Sequence, residues 1–116
     1  MSFKLAEGLR LGVASAATQI EGGSRRSSWY DWYLSGHIKD GSDPSVANMH
    51  YELYEQDSRI MYGMGIRDYR LGIEWARIEP ERGVFDEAEF VHYRNELLLL
   101  KELGIRPLLT IHHFTN

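Results

Sequence analysis

The first chemically suggestive feature of the sequence is an arginine, Arg70, placed inside an apolar strand. Tyr69, Leu71 and Ile73 alternate with polar or small residues, and this period of two predicts a strand with one apolar face and one charged face. A guanidinium group that is buried needs a carboxylate partner, because its desolvation is otherwise uncompensated. Arg70 therefore lies either on a solvated surface or in a polar site.

Other residues able to do chemistry are two glutamates beside a proline, two adjacent histidines and a loop glutamine. Glu79 and Glu81 are a candidate pair of carboxyl groups for acid–base chemistry, but charges solvated in a turn are the better interpretation. His112 and His113 face opposite ways on a strand, so we do not expect them to hold one metal ion together. The amide of Gln19 offers a donor and an acceptor, which suits a polar ligand.

The elements that must position these residues are three strands alternating with two long helices. Asp43 and Pro44 suit the start of the first helix, whereas Asp86 and Glu89 resemble a capping box at the start of the second. The segment 22–43 is predicted to be a long loop, of the kind that is usually functional. The order of elements demands parallel strands joined by right-handed crossovers. Strands are predicted over 9–14, 66–73 and 106–112, and helices over about 44–64 and 86–103.

Length, charge and composition narrow the classes of function. A chain of 116 residues with 43% hydrophobic residues can form one core, and its net charge of −4 argues against nucleic acid or a membrane as a partner. There is no cysteine, which excludes a disulfide framework and a thiolate metal site. No signal-peptide pattern is visible, and no apolar run approaches the roughly 20 residues that span a bilayer. We therefore expect a cytoplasmic protein.

Four segments resemble, in order and spacing, the family 1 glycoside hydrolases, the family of the β-glucosidases and 6-phospho-β-glucosidases. The resemblance implies an α/β fold, namely the first three parallel strands and two helices of a (β/α)8 TIM barrel, with residues 1–116 forming an N-terminal fragment of the catalytic barrel. It implies a retaining β-glycosidase that hydrolyses β-linked glucosides or galactosides, or 6-phosphorylated ones, without a metal ion or cofactor. The segments are 11–22 with its Gln-Ile-Glu-Gly loop, 50–57 with Met61 and Gly65, 68–80, and 104–114.

The same resemblance implies a role for five residues. Gln19 and His113 would bind hydroxyl groups of the sugar, and Arg70 would keep the carboxylate of the catalytic nucleophile ionised. A structural ion pair remains the alternative for Arg70. Glu21 and Phe114 are further possible substrate contacts, although most members have tryptophan at the position of Phe114. Gln19, Arg70 and His113 are expected to converge at the carboxyl ends of the three strands.

No catalytic residue is assigned to this chain, because the acid/base and nucleophile motifs of the family are absent from it. The isolated chain is therefore expected to be inactive, and its unpaired strand edges are expected to drive self-association or to bind a chain that completes the barrel. One alternative is a noncatalytic fragment that binds sugars or assembles through its sheet edges. Another is an unrelated barrel or doubly wound enzyme, which a glycine-rich phosphate loop after the first strand would favour; residues 14–18 are not such a loop.

Overall fold

The computed structural model describes Lys4 and residues 6–113. Its three strands form one parallel sheet in the order β1-β2-β3, which confirms the predicted α/β class. The two long helices are α3 and α5, and three short helices were not predicted. In the described part of the chain, no helix is both long and apolar enough to cross a membrane. The elements are β1 (Val13–Ala14), α1 (Ala17–Ile20), α2 (Ser28–Leu34), α3 (His50–Gly63), β2 (Asp68–Gly72), α4 (Trp75–Ile78), α5 (Glu87–Glu102) and β3 (Arg106–Thr110).

The two faces of β2 differ as the alternating sequence predicted. Tyr69 and Leu71 are buried against the helices, whereas Arg70 between them is exposed on the other face of the sheet. Leu108 of β3 pairs with Arg70 in register and is also exposed, at 66%. Because all three strands are parallel, their carboxyl ends lie along one edge of the sheet.

The core lies between the sheet and the two long helices. It consists of Tyr69, Leu71, Leu100 and Ile105, and partly buried residues of α3 and α5 pack around it. Burying each of these large side chains stabilises the fold by roughly 1.5–3 kcal/mol, before the entropy of ordering them is subtracted. The second predicted helix, α5, thus owes its position to an apolar stripe that meets the core.

The ends of α5 agree with the sequence signals in part. Asp86 caps the helix, since its Oδ1 accepts a hydrogen bond from the Ala88 N–H at 2.9 Å. Glu89 does not close a capping box; its carboxylate accepts a hydrogen bond from the Tyr51 hydroxyl at 2.8 Å instead. At the other end Gly104, with a φ of 69°, stops the helix in the left-handed conformation that favours glycine.

Several predicted elements differ from the structure in their bounds. The first strand is Val13–Ala14 rather than 9–14, and the third ends at Thr110 rather than at residue 112. The second strand is shorter, Asp68–Gly72 rather than 66–73. The helix expected from about residue 44 begins only at His50, because Asp43 turns the chain by accepting a hydrogen bond from the Ser45 N–H at 2.8 Å. The expected long loop contains α2, whose first turn is capped by Ser27. Local turn chemistry explains the late start of α3, and a capping serine explains the additional helix.

A histidine joins the two long helices. His50 is buried at the first position of α3, and its Nδ1 lies 2.6 Å from the Asp57 carboxylate. Its Nε2 lies 3.0 Å from the carboxylate of Glu96, on α5. Burial alone would lower the pKa of His50, but hydrogen bonds and charge interactions with Glu96 and Asp57 raise it to about 8. Protonated His50 therefore links a carboxylate of its own helix, Asp57, to Glu96 on α5.

We expect this bridge to weaken as the pH rises. The pKa of His50 is raised from 6.5 to about 8 on folding, so its contribution is fully present below pH 6.5 and is lost as the pH rises through 8. The expected loss is about 1–2 kcal/mol of unfolding free energy. Urea unfolding between pH 6 and 9 measures it, with His50→Gln as the comparison. A wild-type minus variant difference that does not change with pH would contradict the assignment.

Candidate functional site

The carboxyl end of β1 leads into a single helical turn that carries Gln19. The Ser15 N–H continues the sheet pairing by donating to the Arg70 carbonyl at 2.9 Å, and α1 follows. Gln19 is exposed and lies in a cleft of about 340 Å³, which Trp29 of α2 also lines. The side chain of Gln19 is therefore available to a ligand in this cleft. The remaining lining residues are Thr18, Ile38, Ser42, Asp43, Pro44 and Ala47.

The other predicted contacts lie on the neighbouring strands. His113 is exposed and follows the carboxyl end of β3 at Thr110, so it lies at the same edge of the sheet as Gln19. Arg70 is exposed within β2, two residues before the strand ends, and no carboxylate of the described residues lies within ion-pair distance of its guanidinium. Phe114 lies outside the described residues. Gln19 and His113 thus follow the carboxyl ends of β1 and β3 at one edge of the sheet, and Arg70 lies two residues before the carboxyl end of β2.

Glu21 is placed differently from Gln19, although only one residue separates them. It is 3% exposed, and both oxygens of its carboxylate accept hydrogen bonds. The Tyr93 hydroxyl lies 2.9 and 3.0 Å from these oxygens, and the Arg77 Nε donates to Oε2 at 3.0 Å. This placement does not suit the substrate contact that the sequence suggested as possible for Glu21. Its carboxylate instead fastens the loop after β1 to α4 and α5.

Burial dominates the electrostatics of this cluster. It raises the pKa of Glu21 from 4.5 to about 7, even though the positive charge of Arg77 and the hydrogen bond from Tyr93 lower it. Burial and the neighbouring Glu21 also raise the pKa of the Tyr93 hydroxyl. Tyr93 therefore remains a neutral donor at physiological pH, and Arg77 offsets the buried carboxylate.

Arg77 makes two further contacts beside the loop after β1. Its Nη2 donates to the Gly22 carbonyl, and its guanidinium lies 4.0 Å from the centre of the Tyr51 ring. Gly22 has a φ of 71°, and a Cβ at this position would collide with the Val46 carbonyl. Only glycine allows the loop to pass so close to that segment.

No local sequence pattern predicted this network. Tyr93 is buried on α5, but no sequence pattern records the contact of its hydroxyl, and Arg77 belongs to a segment in which only Arg70 stood out. Glu74, the residue after Ile73, is 1% exposed and accepts a hydrogen bond from the Thr18 hydroxyl at 2.9 Å. The signal that could have revealed the network is the high number of charged residues in the segment 68–82. Charged side chains that are buried at a strand end need partners.

The remaining carboxylate candidates do not form a catalytic pair. Glu79 accepts hydrogen bonds from the Trp75 Nε1 and the Gly83 N–H, both at 2.7 Å, and these bonds lower its pKa. Glu81 is exposed. Trp75, whose indole nitrogen donates to Glu79, is only partly buried. Among residues 4 and 6–113, no group of three or more histidine and carboxylate side chains is placed to hold a metal ion.

Comparison with known proteins agrees with the fold. The model of glycosyl hydrolase family 1 matches residues 1–116. β-Glucosidase A of Acetivibrio thermocellus is 40% identical over 110 residues, covering 89% of this chain and 25% of that protein. The structure of a β-glucosidase from Thermotoga maritima in complex with deoxynojirimycin superposes with a TM-score of 0.87 at 35% identity, covering 96% of this chain and 27% of that one. The structure of AHE enzyme from Alicyclobacillus herbarius gives a TM-score of 0.88 at 35% identity, with the same coverage. The chain thus spans about a quarter of the length of these relatives.

Proposed function

This chain belongs to glycosyl hydrolase family 1, and we propose that its residues 1–116 form the N-terminal part of the catalytic barrel of a retaining β-glycosidase. The fold is a partial barrel, the first three strands of the barrel on which its relatives are built. The proposed substrates are β-linked glucosides or galactosides, including 6-phosphorylated ones. The observation that carries the proposal is the exposed amide of Gln19 in a cleft at the carboxyl edge of the sheet.

Binding of the sugar is assigned to Gln19 and His113. Their side chains follow the carboxyl ends of two strands of one parallel sheet, where barrel enzymes collect their active-site residues. An amide and an imidazole both donate and accept hydrogen bonds, as sugar hydroxyl groups require. Hydrogen bonds to the sugar that strengthen in the transition state raise kcat/KM.

The hydrolytic carboxyl groups are assigned to the remaining part of the barrel. A retaining mechanism needs two carboxyl groups about 5–5.5 Å apart, one acting as nucleophile and one as acid and base. In the described part of the chain, the carboxylates of Glu21 and Glu74 are buried and accept hydrogen bonds. Glu79 accepts a hydrogen bond from the Gly83 N–H in the turn that follows it. Arg70 is exposed on the face of β2 away from the helices, where it would meet the nucleophile's carboxylate and lower its pKa. The 116-residue chain by itself is therefore proposed to be inactive.

The test is to complete the barrel. The chain is fused to, or co-expressed with, the C-terminal segment of a family relative, and aryl β-glucoside, aryl β-galactoside and their 6-phosphates are assayed. We expect no turnover by the 116-residue chain and turnover of at least one substrate by the completed protein. Hydrolysis by the chain alone would contradict the assignment of both carboxyl groups to the missing part.

A second candidate function, self-assembly without catalysis, is favoured by an exposed apolar face. A cleft of about 380 Å³ beside β3 is lined by Leu97, Leu98, Leu109 and Phe90. In a complete barrel, further strands and helices would cover this face. In the isolated chain, a second copy of the chain would cover it. Sedimentation and calorimetry with glucose separate the two functions. A self-associating chain that binds glucose, together with an inactive completed protein, would favour the second.

A further inference from the structure

Glu74 is a buried carboxylate with no evident role in catalysis. It follows Ile73 at the carboxyl end of β2 and stands at the N-terminal boundary of α4, yet its side chain does not cap that helix. Its Oε2 accepts a hydrogen bond from the Thr18 hydroxyl at 2.9 Å instead. Burying a carboxylate is unfavourable without such partners, and Glu74 is only 1% exposed. Its burial therefore indicates a structural role for the hydrogen bond to Thr18.

What Glu74 contacts is the helical turn that carries Gln19. Helix α1 has only four residues and no side-chain cap at its N-terminus, so it has little stability of its own. Thr18 is hydrogen-bonded to Glu74, and Glu21, directly after the turn, is hydrogen-bonded to Tyr93. We call these two hydrogen bonds the tethers of the turn. The two tethers lie on either side of Gln19.

The two tethers also meet in one network. The Glu74 N–H donates to the Tyr93 hydroxyl at 3.0 Å, and that hydroxyl donates to the Glu21 carboxylate. Glu74 is therefore linked to both ends of the turn, by its side chain at Thr18 and through its backbone N–H and Tyr93 at Glu21. A fully hydrogen-bonded buried network of this kind fixes one geometry.

We infer that Glu74 is a positioning residue, which acts through Thr18 to hold the α1 turn so that Gln19 presents its amide to the cleft. The inference rests on the proposed function for the role of Gln19 in sugar binding. It does not rest on that function for the tether itself, which is a property of the fold. The two parts can therefore be tested separately.

Amide hydrogen exchange on the 116-residue chain tests the tether. Thr18→Val removes the hydroxyl with little change of shape, and we expect it to lower exchange protection at the Gln19 and Glu21 amides roughly tenfold. These amides donate to the Ala16 and Ala17 carbonyls within the turn. Glu74→Gln keeps an acceptor oxygen and should retain protection, whereas Glu74→Ala should lose it. Unchanged protection at Gln19 after Thr18→Val would overturn the inference. An equal loss at the Leu103 amide, which donates to the Leu99 carbonyl at the end of α5, would overturn it as well.

A double-mutant cycle in the completed enzyme tests the consequence. Thr18→Val should lower kcat/KM roughly tenfold when Gln19 is present, and less than about twofold in a Gln19→Ala background. The matched control is Tyr69→Phe, which removes the hydrogen bond between Tyr69 and Ser15 but does not touch the turn. Equal losses with and without Gln19 would overturn the positioning role. If the completed protein hydrolyses no glycoside, the proposed function fails. Hydrogen exchange still tests whether the hydrogen bond between Thr18 and Glu74 holds the turn.

Discussion

Replacing Arg77 by alanine should lower the free energy of unfolding by about 3–5 kcal/mol, or leave the chain unfolded, because it removes one partner of a buried ion pair. Glu21 would keep its hydrogen bond from Tyr93 but would lose the positive charge 3.0 Å from its carboxylate. The side chains of Arg77 and Glu21 are only 13% and 4% exposed, so water does not replace the lost partner. Urea unfolding at pH 8 measures the loss.

The chain offers a matched control for this substitution. Arg67 also lies over a tyrosine ring, at 4.3 Å from its centre, and also donates to backbone carbonyls, but it is exposed and meets no buried carboxylate. Arg67→Ala should therefore change the unfolding free energy by less than about 1 kcal/mol. Similar losses for both variants would show that the ion pair with Glu21 is not the cause.

The pH dependence of the unfolding free energy gives a second check on the Arg77→Ala variant. Burial raises the pKa of Glu21 from 4.5 to about 7 even in the presence of Arg77, so its folded form favours the protonated carboxyl group. Stability from this group is fully present below pH 4.5 and is lost as the pH rises through 7. Without Arg77 the folded-state pKa rises further, because the opposing charge is gone. Arg77→Ala should thus be least harmful at pH 5, and Arg77→Ala combined with Glu21→Gln should recover stability at pH 8.

The second large effect is expected in the completed enzyme. Gln19→Ala and His113→Ala should each lower kcat/KM. The expected decrease corresponds to a loss of about 2–4 kcal/mol of transition-state stabilisation if the closed site excludes water. Both residues are exposed in this chain, so the substitutions should leave its stability nearly unchanged. Steady-state kinetics with an aryl β-glycoside and urea unfolding together separate the two contributions.

Each of these residues has a neighbour of the same type for comparison. Gln56 is exposed on α3, and Gln56→Ala should leave kcat/KM within about twofold of the parent enzyme. His112 is adjacent to His113, and His112→Ala tests whether any histidine at this strand end would serve. A loss at His112 as large as that at His113 would contradict the specific assignment of the sugar contact.

Much of the framework could be predicted from the sequence, because it depends on local patterns. The period of two around Arg70 placed Tyr69 and Leu71 on a buried face, whatever the rest of the chain did. Asp86 and Gly104 bounded α5 through hydrogen bonding and backbone freedom within one turn. The segments that resemble family 1 glycoside hydrolases were likewise readable in order, and the family match over the whole chain confirmed them.

Only the tertiary structure decided which polar residue meets which. Gln19 and Glu21 are two positions apart, and residues so spaced on a helical turn do not face the same way. The turn therefore leaves Gln19 in the cleft and directs Glu21 into the protein. The partners of Glu21 lie 56 and 72 positions away, at Arg77 and Tyr93. The crossovers between parallel strands bring them together, and no local pattern records such a contact, because burial and charge compensation exist only once the sheet and its helices have packed.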